Sequence, residues 1–229
     1  VVKMGRTQLQ DAVPIRLGQS FEAYANVVGR DISRLKGLKK DLRALNIGAT
    51  AVGTAINVNP VYLFQIIKNI NLICGTDCYQ ADDLFDATQN LDCFVHVSGA
   101  LKTCASSLSK ICNDLRLLSS GPHAGLGEIN LPPKQNGSSI MPGKINPVIP
   151  EVVSQVAFNV IGNDVTVTMA AEAGQLELNA FEPVIFYKIF ESIDTLGGAV
   201  TTLIDNCVLG ITANRDRCRR LVESSSALA

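Results

Sequence analysis

Residues 83–118 read DLFDATQNLDCFVHVSGALKTCASSLSKICNDLRLL. Within them Leu84, Ala87, Leu91, Phe94, Ser98, Leu101, Ala105, Leu108, Cys112 and Leu115 recur at alternating steps of three and four. That spacing lines one side of a helix, and sustained over several heptads it forms a seam against partner helices. Asp82 or Asp83 is suited to accept from the free N–H groups of the first turn, and SSGP after Leu118 ends the run. The stretch therefore predicts one helical rod of roughly 50 Å, at 1.5 Å of rise per residue.

Working outward, Leu17, Phe21, Tyr24, Val28, Leu35, Leu38, Leu42 and Leu45 repeat the pattern with a missing step at Asp31, and NIG closes it. A shorter helix follows NVNP, with Asn59 as N-cap and Pro60 in the first helical position. From Pro147 to Ala173 apolar residues surround the helix axis, and no charge appears between Glu151 and Asp164. A helix apolar all round must be covered all round. VTVTM within it alternates like a strand, but no other strand candidate offers a partner, so helix is preferred. A last long helix runs from about Leu178 to Cys207 with Pro183 near its start, and Asn214 caps a further one. The expected fold is all-α, a long up-and-down helical bundle. Its seams exceed what its own helices cover, so the bundle is expected to complete its core against other copies of the chain.

Composition narrows the function classes. Twenty Lys and Arg against 21 Asp and Glu give a net charge of −1, no electrostatic footprint for nucleic acid or an acidic membrane. Seven cysteines, an odd number without CxxC spacing, read as reduced thiols, and two histidines are too few for a closed zinc site. No run of about 18 apolar residues appears and VVKMGRTQLQ lacks a signal-peptide layout, so a cytoplasmic protein is expected. His96 reads as a packing residue of the heptad helix; His123 has no evident role.

Chemistry concentrates in NGSSIMPGKINPVIPEVVSQ, residues 136–155. A P-loop is excluded, because five residues separate Gly137 from Gly143 where the motif allows four, and Ile145 stands where Ser or Thr would hold magnesium. What remains is a loop with two hydroxyls, a cation and a carboxamide. Those groups suit a carboxylate-bearing substrate.

GSSIMPGKINP matches the signature GSSxMPxKxNP, and by it the chain resembles the aspartase/fumarase superfamily. KMGRTQLQDAVPIRLGQSF resembles that superfamily's second conserved block, while SGPHAGLGEINLP and IGNDVTVTMAAEAGQLELNAFEPV are similar to segments of its aspartase branch. The resemblance covers essentially the whole chain. It implies an ammonia-lyase that converts L-aspartate to fumarate and ammonia, with a homotetramer and a small dicarboxylate or amino-acid substrate as its partners, and with no organic cofactor. Ser138 would be the base that takes the proton beside a carboxylate. Lys144 and Asn146 would hold substrate carboxylates, Ser139 would add a donor, and Thr7 would contact substrate from a neighbouring chain; the alternative for Thr7 is a helix N-cap. Gln8 stands where fumarases and some aspartases carry a histidine that would pair with a glutamate matching Glu151. It cannot titrate, only hydrogen-bond. IGATAVGTAIN departs from the usual GGTAVGTGIN at Ala49 and Ala55.

Family members are about twice this length. The resemblance therefore implies that residues 1–209 are the central helical domain, that 210–229 begin a truncated C-terminal helical region, that the N-terminal domain is absent, and that the piece alone is inactive. Two other readings stay open: a fumarase-type hydro-lyase acting on malate, and a non-catalytic helical assembly module.

Overall fold

The computed structural model describes residues 1–135, 140–141 and 143–226. The chain divides into two compact units built from discontinuous stretches: Val1–Arg30, Cys104–Asn159 and Asp194–Ala229 form one, and Asp31–Thr103 with Val160–Ile193 form the other. Four long helices contribute residues to both: α1 (Leu17–Gly37), α4 (Asp92–Leu118), α5 (Val148–Glu172) and α6 (Glu182–Asn206). The remaining helices are α2 (Pro60–Cys74), α3 (Asp86–Gln89) and α7 (Arg215–Glu223). The fold is the expected all-α bundle.

The first unit opens with an antiparallel hairpin that periodicity did not predict, β1 (Val2–Thr7) and β2 (Gln10–Arg16). Its two-residue turn, Gln8 and Leu9, has φ of 52° and 65°, the left-handed geometry that matches strand twist. Such turns usually carry Asn or Gly, and Pro14 stands inside β2, so neither signal of a hairpin is present in the sequence. The register shifts between Met4 and Arg6, where Gly5 lies so close to β2 that an added Cβ would be 2.7 Å from the Val13 carbonyl oxygen. The unit's interior gathers Met4 with Leu108, Cys112 and Leu115 of α4, Val153 and Ala157 of α5, Leu203 of α6 and Cys218 of α7. Helix α7 packs on β1.

In the second unit the buried residues include Val97, Ala100 and Leu101 of α4, Val160 and Val167 of α5, and Ile185 and Ile189 of α6. Phe94 and Phe186 meet edge to face, centroids 4.9 Å apart. Asn59 caps α2 as expected, its side chain accepting from the Val61 N–H at 2.9 Å, with Pro60 at N1. Asp31, the missing heptad step, is buried and pairs with Arg34 one turn on.

Several boundaries differ from expectation. The 83–118 rod is interrupted: α3 stops at Gln89, Asn90 is extended, and α4 restarts at Asp92. Local polar groups compete with the helical ladder there. Asp83 accepts from the Phe85 and Asp86 N–H groups, Thr88 donates to the Leu84 carbonyl, and Asn90 donates to Asp86. Leu84 and Ala87 thus leave the seam. Likewise α1 ends at Gly37 rather than at NIG; a 3-10 turn, Leu38–Lys40, follows, and β3 (Ala44–Leu45) pairs in parallel with β4 (Tyr79–Gln80). VTVTM is helical, as preferred, with Thr166 and Thr168 donating to carbonyls four residues back. Pro183 sits in the first turn of α6. His96 is not packed: its side chain is 64% exposed and its Nδ1 lies 2.9 Å from Asp41 Oδ2.

Candidate active site

The hairpin places the first two candidate residues. Thr7 closes β1 opposite Gln10 and Gln8 opens the turn; both are exposed, and Thr7 is not a helix N-cap. The first strand of the hairpin is held by charge. Arg6 Nη1 donates to Glu128 Oε1 at 3.0 Å, and Lys3 Nζ lies 3.2 Å from Glu128 Oε2.

The second group of candidates falls within and just after residues 136–139. Ser138 and Ser139 are outside the described residues. Gly143 takes a positive φ of 80°, and the Lys144 N–H returns to the Met141 carbonyl at 3.2 Å, a turn that leaves the Lys144 side chain exposed. Asn146 is half-buried in a narrow cleft with Leu131, Pro150, Asn206 and Cys207. One turn into α5, Glu151 is 3.6 Å from Arg116, an exposed pair of small energetic weight. Among the described residues no hydrogen bond or ion pair joins Thr7 or Gln8 to Lys144 or Asn146.

A cavity of about 800 Å³ adjoins this loop, lined by Gly143 and Ile145 together with His123, Asn130, Arg217 and Arg220. Arg217 is held in its wall by hydrogen bonds to the Leu126 and Gly125 carbonyls, 2.9 and 2.8 Å. Asn214, the expected cap of α7, gives that helix no side-chain bond. It instead donates to the Gly127 carbonyl and to Asn130, a residue of β5 (Ile129–Asn130), the strand paired with β6 (Thr212–Ala213). His123 thereby acquires a location that its sequence context did not offer.

Sequence reasoning missed Glu128 and the cations on β1. A glutamate inside the apolar run GLGEINL was the available signal, since a lone acid among buried neighbours must have partners. No group of three or more His, Cys, Asp or Glu able to hold a metal occurs among the described residues, and none of the described helices is long and apolar enough to cross a membrane. All seven cysteines are free thiols.

A bundle of long helices with a motif-bearing loop ahead of α5 places the chain in a class shared with known proteins. Residues 1–162 match the model of the lyase family, and the chain belongs to that family. The chain is 54% identical over 228 residues to the aspartate ammonia-lyase of Bacillus subtilis, covering 100% of itself and 48% of that protein. It is 59% identical over 225 residues to the aspartate ammonia-lyase of Helicobacter pylori, covering 98% and 48%. Among solved structures it resembles a cobalt-bound fumarate lyase:delta crystallin from Brucella melitensis, with a TM-score of 0.95, 55% identity, and coverage of 98% of this chain and 49% of that one. A class II fumarase from Schistosoma mansoni aligns with a TM-score of 0.87 at 34% identity, covering 100% and 51%. The chain thus spans about half the length of the curated relatives it matches. These matches identify it as a member of the aspartase/fumarase superfamily.

Proposed function

We propose that the protein carrying this chain is an aspartate ammonia-lyase, which eliminates ammonia from L-aspartate to give fumarate. The observation that carries the reading is the 54–59% identity, along essentially the whole chain, to proteins of that name. The signature GSSIMPGKINP and the amide at Gln8 agree with it.

The chemistry follows from the acidity problem. The proton to be removed sits on the carbon next to a carboxylate that is already charged, so its loss creates a dianionic aci-carboxylate. Stabilising that charge with aimed donors and a cation is the main task of the site. Ser138, acting as base, takes the proton; the electron pair of the broken C–H bond enters the aci-carboxylate and then forms the double bond as the C–N bond breaks and ammonia leaves. Lys144 supplies the point charge for one carboxylate, and Asn146 orients it through its amide. Ser139 adds a donor. Thr7 and Gln8, at their exposed turn, offer a hydroxyl and an amide to substrate held by another protomer. Gln8 holds no titratable proton, so it binds rather than relays.

Assembly belongs to the same reading. Phe158 of α5 and Phe190 of α6 are each more than half exposed, and so are Phe64 and Leu72 of α2. Apolar surface of that extent favours a homotetramer in which residues of different protomers meet at each site. Residues 1–209 would be its central helical domain, with 210–229 opening a further helical region. Residues 1–229 alone are expected to turn over little substrate.

A fumarase-type reading is favoured by one observation, the likeness to the class II fumarase. Incubation of the intact protein with aspartate and with malate, followed by the ultraviolet absorbance of fumarate, separates the two. Turnover of malate alone refutes the ammonia-lyase; turnover of neither supports a non-catalytic assembly module. Ser138→Ala is expected to reduce kcat by at least about a hundredfold with assembly intact, the scale of a lost general base. Lys144→Ala is expected to raise KM for aspartate by about tenfold or more, and an unchanged KM removes it from carboxylate binding.

A further inference from the structure

Glu128 carries a carboxylate with 0% exposure in a loop between helices, and no step of the proposed reaction uses it. Its surroundings are specific. Arg6 Nη1 donates to Oε1 at 3.0 Å. Lys3 Nζ, itself buried, lies 3.2 Å from Oε2 but directs its hydrogen bond to the Met4 carbonyl at 2.6 Å, so Oε2 is compensated in charge and lacks a directed hydrogen bond. Both cations stand on β1, the strand that ends at Thr7. The glutamate's backbone is equally fixed. Its N–H donates to the Leu118 carbonyl at the end of α4, and its carbonyl accepts from the Asn214 N–H at 2.9 Å and from the Cys218 thiol at 3.5 Å beside α7.

The hairpin needs such an anchor. Its turn is exposed and lacks glycine, with Gln8 and Leu9 both in the left-handed region, and its register shifts at Gly5 just before Arg6. Thr7 pairs with Gln10 at the end of the ladder, and Gln8 lies beyond that last pair. Arg6, next to Thr7, is tied from below to Glu128 and reaches across the strands toward Asp11 Oδ1, 3.7 Å from its Nε. The desolvation of charges in a buried ionic cluster offsets their attraction, so its net contribution to stability is small.

We infer that Glu128 is a positioning residue: through Arg6 and Lys3 it sets the aim of the turn that presents Thr7 and Gln8 to substrate, without touching substrate itself. The inference rests on the reading of that turn as substrate-binding, and the test separates the two. In the intact protein, Glu128→Gln keeps the shape and an acceptor but removes the charge that holds both cations. KM for aspartate is expected to rise about tenfold with kcat changed much less, since binding groups are displaced while the base is not. Glu128→Asp, which keeps the charge, is expected to recover part of that loss. Thr7→Ala is run alongside. If Thr7→Ala leaves KM unchanged, the turn does not bind substrate and the functional reading fails. If Thr7→Ala raises KM while Glu128→Gln lowers only the melting temperature, Glu128 is merely structural and the inference is overturned. Should Glu128→Gln fail to fold, Arg6→Gln, at the more accessible end of the pair, carries the same comparison with the same two outcomes.

Discussion

Tyr24 shows how one residue's setting alters its chemistry. Its hydroxyl donates to Asp114 Oδ2 at 2.8 Å, and Lys110 Nζ lies 5.5 Å from the ring centre. Burial first, then the bond to Asp114 and that carboxylate's charge, push the phenol well above its ordinary value of 10.0. The unfolded chain therefore loses this proton before the folded chain does, and the associated stability, complete below pH 10.0, falls as pH rises beyond it. Tyr24→Phe is expected to flatten the alkaline limb of a stability profile measured by denaturant midpoint. A second residue explains a sequence departure. Ala55, where relatives of this superfamily usually carry glycine, sits at a φ of 52°. A left-handed alanine is strained by about 1–2 kcal/mol, and glycine relieves this at an entropic cost of about 0.5–1 kcal/mol. Ala55→Gly is therefore expected to be neutral or stabilising by up to about 1 kcal/mol in thermal unfolding, the reverse of its effect inside a helix. Neither setting is written in the residue's identity; each comes from neighbours distant in sequence or from a turn without a signature.

Among the elements, periodicity located the long helices and capping located α2, because both are local. The interruption at Asn90 was not legible, since Leu84 and Ala87 fit the heptad as well as their successors do; only the competing bonds of Asp83, Thr88 and Asn90 break the rod. The join between α5 and α6 shows the same kind of control. Asn179, almost fully buried, donates to the Ala170 and Ala171 carbonyls at the end of α5 and accepts from the Phe181 N–H ahead of α6. Asn179→Ala removes these bonds and leaves buried carbonyls unpaired, for an expected loss of about 2–3 kcal/mol. It would appear as a lower urea midpoint with an unchanged slope; a loss under about 0.5 kcal/mol would assign the join to packing instead.

For the molecule as a whole, α5 is the informative case. Its all-round apolar sequence called for cover on every side, yet in the single chain Val153, Ala157, Val160 and Val167 are buried while Phe158 and Met169 are more than 60% exposed. If other protomers cover that face, Phe158→Glu should lower the mass of the intact protein in sedimentation while preserving its helical circular dichroism. An unchanged mass would remove this face from the proposed interface. The amino-acid sequence by itself determined the helical class and the long elements, and through its resemblance it offered the candidates Thr7, Gln8, Ser138, Ser139, Lys144 and Asn146, because heptad spacing, caps and short motifs are written in neighbouring residues. Only the tertiary structure decided that Thr7 and Gln8 stand on a strand hairpin and that Glu128 pairs with the two cations of its first strand. The reason is physical: a buried ion pair between residues 6 and 128 depends on where the chain returns in space, and no local pattern encodes that return.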